Sequence, residues 1–69
     1  MFEYKTSYME KSKERFYLVY NNLPLGLRNE VILVLGDEPI TWKVARLEID
    51  NETQLSKKIL EKLDALQII

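Results

Sequence analysis

Two acidic pairs and a few hydroxyls are the groups whose type and spacing could do chemistry in this 69-residue chain. Asp37-Glu38 lies between Gly36 and Pro39. Acid–base catalysis needs a carboxyl group with a shifted pKa, held beside a partner. A solvated loop offers no desolvation to raise one, so Gly36-Asp37-Glu38-Pro39 reads as a polar turn. Asp50 and Glu52 bracket Asn51. A calcium loop alternates its oxygen ligands and needs a glycine at its sharp bend. Neither is present, and these acids read instead as caps and first-turn residues that complement a helix dipole.

The nucleophile candidates are Ser7, Ser12, Ser56 and the threonines. None stands in a Gly-x-Ser-x-Gly context, and the chain has no His to activate them. Ser56 precedes Lys57 and Lys58, but adjacent residues of a helix point in different directions. Gly26 and Gly36 are too far apart to cradle a phosphate. There is no Cys, which excludes disulfides and thiolate metal sites. The expectation is a protein that is not an enzyme and needs no cofactor or metal.

Binding is the remaining class. Lys11, Lys13 and Arg15 sit close in sequence beside Tyr8, Phe16, Tyr17 and Tyr20. Basic groups interleaved with aromatics can contact phosphates and stack on bases, which makes Lys11, Lys13, Arg15 and Tyr17 the candidate nucleic-acid contacts. Glu10 and Glu14 are interspersed, however, and the net charge is −1, so no global field draws in a polyanion. The weaker basic set Lys43, Arg46, Lys57 and Lys58 reads as solvated faces.

These groups must be positioned by four segments. A helix is expected from about Tyr8 to Asn21, opened by a Ser7–Glu10 capping box and closed before Pro24. Tyr8, Ser12, Phe16, Val19 and Tyr20 keep helical spacing. Phe2, Tyr4, Thr6 and Tyr8, and again Phe16, Leu18 and Tyr20, also alternate as strands do, which is the rival reading. Leu23 to Arg28 is an apolar connector, and its Pro24 could open a short helical turn.

Val31 to Leu35 reads as a strand, apolar on both faces and so in want of cover on both. Ile40 to Ile49 reads as the second strand of a hairpin with a four-residue loop. Its apolar phase switches from Ile40, Trp42, Val44 to Ala45, Leu47, Ile49. That requires a bulge near Val44-Ala45, which would bury both Trp42 and Leu47. The last helix is expected from about Glu52 to Leu66. Asp50, Asn51 or Thr53 would cap it, and Leu55, Ile59, Leu60, Leu63 and Leu66 would form its apolar stripe.

The expected fold is a single α+β domain, residues 1–69, of helix–β-hairpin–helix (αββα) order. The alternative is ββββα, with N-terminal strands. With 46% hydrophobic and 30% charged residues the chain is globular rather than disordered. Its longest apolar run is too short to span a membrane, and a soluble, cytoplasmic protein is expected. Small domains without disulfides or metals often lean on association. The functional expectation is a non-enzymatic interaction protein, a homodimer or adaptor. Its expected interaction surface is Leu25, Leu27, Trp42, Ile68 and Ile69, the last two because a chain end is seldom so apolar. Trp42 reads first as packed under a covering helix, with the interface anchor as its alternative, and the two isoleucines dock on the chain's own body or on a partner. A nucleic-acid-associated accessory protein is the alternative.

Overall fold

Ser12, Phe16 and Tyr20 recur every four residues, and all three are buried. That spacing sets them on one side of a helix, and the chain is helical over Phe2–Asn21, α1. The structure, a computed structural model, describes residues 2–69, with side chains described from Glu10 onward. The helical reading of this segment therefore holds, and the ββββα alternative does not. The helix is already under way at Phe2, so Ser7 lies within α1 and not at its cap. At the other end the Asn22 side chain donates to the Leu18 carbonyl at 2.7 Å. Pro24 follows in extended conformation and opens a 3-10 turn, Leu25–Asn29.

Strand β1 is Val31–Leu35 and strand β2 is Glu38–Thr41, paired antiparallel. The loop between them is two residues, Gly36-Asp37, and not the four expected. Gly36 sits at φ +61, as the first loop residue of a type II′ turn requires, and the twist of that turn suits a tight hairpin. Glu38 and Pro39 consequently belong to β2. A register irregularity between Val31 and Leu33 places a bulge at Ile32. The bulge switches the phase of β1. Leu33 pairs with Ile40 on the buried side, while Val31 joins Val34 on the outer side with Pro39 and Thr41.

The expected second strand over 40–49 is corrected. It ends at Thr41, and Trp42–Asp50 is a helix, α2. Thr41 makes the switch by serving as the N-cap: its Oγ1 accepts from the Val44 N–H at 3.0 Å. The apparent change of phase near Val44-Ala45 is thus a change of period. Trp42, Ala45 and Ile49 are buried at helical spacing, and Leu47 stays 55% exposed instead of entering the core.

Helix α3 is Gln54–Ala65, capped by Thr53, whose Oγ1 accepts from the Ser56 N–H. Both α2 and α3 end in one backbone motif. Thr53 N–H donates to Glu48 C=O and Glu52 N–H to Ile49 C=O. Ile68 N–H donates to Leu63 C=O and Gln67 N–H to Asp64 C=O. These are Schellman pairs, and they bend the chain through a residue at positive φ: Glu52 (52°) and Gln67 (59°).

The observed order is helix, 3-10 turn, two strands and two helices: the α+β helix–hairpin–helix plan with one helix more than expected. Phe16 and Tyr20 from α1, Leu33 and Ile40 from the hairpin, Trp42, Ala45 and Ile49 from α2, and Ile59, Leu60 and Leu63 from α3 form one core. Among the described residues no helix is long and apolar enough to cross a membrane.

Candidate interaction surface

Helix α1 has two kinds of side chain aimed at the rest of the fold. Its apolar stripe is anchored by Phe16, whose ring lies 5.8 Å from those of Tyr20 and Trp42 and 5.6 Å from that of Tyr17. Beside this stripe runs a row of polar ties. Lys13 pairs with Glu52 at 2.8 Å, Arg15 pairs with Asp64, and the Tyr17 hydroxyl donates to Asp50. Asp50 also meets Arg46 Nε at 3.4 Å. The Arg46 guanidinium stands 5.0 Å from the Tyr20 ring centre, and that of Arg28 stands 4.4 Å from it. Tyr20 is thereby braced from the 3-10 turn and from α2 at once.

Energetically the stripe and the ties are unequal. Exposed ion pairs contribute about 0.2–1 kcal/mol each. Truncating a buried Phe costs about 3–5 kcal/mol. The ties therefore orient α1, and the stripe holds it. The electrostatics follow the pairing. Burial, then the hydrogen bond to Asp50 and its negative charge, push the Tyr17 phenol up to about 12. The hydrogen bond from Lys13, then its charge, holds the Glu52 carboxyl below its ordinary range.

This arrangement places the four basic and aromatic candidates of α1. Lys13 and Arg15 each pair with an acid from the α2–α3 region, Tyr17 donates to Asp50, and exposed Lys11 makes no ion pair with a described residue. The charges of Lys13 and Arg15 are matched within the molecule before any polyanion arrives.

Between α1 and α3 lies a groove of about 410 Å³, lined by Glu10, Lys13, Ile49, Glu52, Ser56, Lys57 and Leu60. Its two acids and two lysines balance. Ser56 Oγ donates to the Thr53 carbonyl, so its proton is engaged in the first turn of α3. Among the described residues no three acids, histidines or cysteines cluster as metal ligands would.

The apolar candidates separate into two groups. Trp42 is buried against Phe16, and Ile68 and Ile69 pack on the chain's own core. Leu25 and Leu27 remain outside, at 76% and 44% exposure. The outer face of the hairpin adds Val31 and Val34, each more than half exposed. Cover is expected on both faces of the strand; its outer one is bare in this structure, and the bulge at Ile32 puts Val31 there beside Val34.

The backbone of the hairpin is as informative as its side chains. A two-residue turn makes its flanking pair, Leu35 and Glu38, a hydrogen-bonded one, and the pattern then alternates. Leu33 and Ile40 also exchange hydrogen bonds, whereas Val34 and Pro39 are opposed without them. The N–H and C=O of Val34 consequently point away from β2, toward the outer edge of β1. At the matching place on β2 stands Pro39, which has no N–H to offer. Among the described residues β1 makes extensive contact with β2 alone. The edge of β1 is open and that of β2 is blunted. Comparison with protein-family models, with curated proteins and with solved structures finds no match to this chain.

Proposed function

We propose that this chain is a small non-enzymatic interaction module. It docks a protein partner through the 3-10 turn and the outer face of the hairpin. The observation that carries this reading is the exposure of Leu25, Val31 and Val34 in a chain whose core is already drawn from five elements. Fully burying an aliphatic side chain of this size is worth about 1.5–3 kcal/mol. A domain whose total stability is about 5–15 kcal/mol gains appreciably from covering several.

The test is the size of the native assembly. The chain, expressed in its own cell, should elute from gel filtration above the volume of a single chain. A Leu25→Ser, Val34→Ser variant should shift toward that volume while keeping its far-UV circular dichroism. Elution of both as single chains would overturn the proposal. So would a complex that collapses on nuclease treatment, or one that weakens steeply with salt. Those results would favour nucleic-acid binding, since phosphate contacts release counterions.

A further inference from the structure

The edge of β1 also defines the chemistry of a partner. We infer that a second copy of this chain pairs antiparallel with β1, edge to edge, joining two hairpins into a four-stranded sheet across a two-fold axis. This deepens the interaction-module reading and rests on it.

Four observations support the assignment. First, the outward N–H and C=O of Val34 are a donor and an acceptor on one residue, which an antiparallel strand satisfies together. Second, β1 carries no charged side chain and no proline, the devices by which edge strands are usually protected, while β2 has Pro39 at the equivalent place. Third, the strand is its own complement. The register that satisfies Val34 sets Val34 opposite Val34 and Leu33 opposite Leu35 of the other copy, and a two-fold contact uses the same patch on both copies. Fourth, pairing would extend the outer face of the sheet and bring the exposed Val31 and Val34 of both copies onto one face.

The ends of β1 add a sign. Glu30 precedes the strand and Asp37 follows it, both exposed. Antiparallel pairing brings the Glu30 end of each copy near the acidic turn of the other. Like charges there oppose association, and salt screens them. The pair should therefore tighten with added salt, opposite to a phosphate-driven complex.

Sedimentation equilibrium of the purified chain at micromolar concentration tests this, read with hydrogen exchange of the Val34 amide. The expected result is twice the single-chain mass, favoured by salt, with Val34 protection that rises with protein concentration. Val34→Pro removes the outward N–H without touching the hairpin ladder, and Val34→Lys places a charge at the edge. Both should give single chains. If the proline variant does not fold, the lysine variant and the wild-type exchange decide the matter. A wild-type chain that sediments as a monomer overturns the second-copy assignment but leaves the module reading to the native-cell experiment. A dimer whose Val34 amide exchanges freely, and which survives Val34→Lys, also overturns edge pairing.

Discussion

Glu52 and Gln67 occupy the same position in two copies of one helix-ending motif, and neither is the glycine that this position favours. They differ in what else they do. Glu52 holds the ion pair to Lys13, and Gln67 makes no comparable tie among the described residues.

Gln67→Gly should therefore stabilise the fold. A left-handed backbone costs an L-residue about 1–2 kcal/mol, of which the greater freedom of glycine when unfolded takes back about 0.5–1 kcal/mol. A net gain of about 0.5–1 kcal/mol in urea denaturation is expected. Glu52→Gly should gain less, because it gives up the Lys13 pair. Equal gains at both positions would show that pair to be worth nothing.

Leu47 and Ile49 are two residues apart, and a strand would treat them alike. In α2 they part: Ile49 is 1% exposed and Leu47 is largely outside. Ile49→Ala should cost about 2–5 kcal/mol, and Leu47→Ala should stay within about 0.5 kcal/mol. A large loss at Leu47 would contradict the helix.

Thr41 ends β2 and caps α2. Thr41→Ala keeps the strand but strips the acceptor from the Val44 N–H, at an expected cost of about 0.5–2 kcal/mol. Thr41→Asn or Thr41→Asp should recover most of it, since either side chain can accept the same hydrogen bond. Failure of both to recover stability would mean that the loss came from elsewhere.

Tyr17 makes stability depend on alkaline pH. Its phenol ionises near 10 when unfolded and near about 12 when folded, so the folded state holds the proton more tightly. Its contribution is complete below pH 10, falls as pH rises from 10 to about 12, and is gone above that. Tyr17→Phe should lower stability at neutral pH, by loss of the Asp50 hydrogen bond, and flatten the alkaline decline. Urea midpoints measured across that window check both signs.

Much of the fold was legible from pattern. Val31 to Leu35 was bounded correctly because an apolar run followed by Gly-Asp admits little else. The last helix was legible in Leu55, Ile59 and Leu63. The error at Ile40 to Ile49 came from two periods competing within ten residues. Ile40, Trp42 and Val44 alternate, whereas Trp42, Ala45 and Ile49 keep helical spacing, and Thr41 was the cap that should have decided between them. The surface was harder to read. Lys13 lies 39 residues from Glu52 and Arg15 lies 49 from Asp64. No local pattern announces such partners, and without them the basic residues of α1 look available. Leu25 and Leu27 could be recognised as apolar excess, but their exposure depends on where α2 comes to rest.

Pro39 has a consequence for how far strand addition can run. A ribbon with two receptive sides can accept a neighbour on each and grow without end, which is the route to fibres. Here one side offers the N–H and C=O of Val34 and the other is interrupted by a ring with nothing to donate. If the β1 edges of two copies pair, growth by strand addition stops after one event. A single imino acid, placed where the hairpin itself loses no hydrogen bond, would then leave a closed, countable unit in place of a polymer.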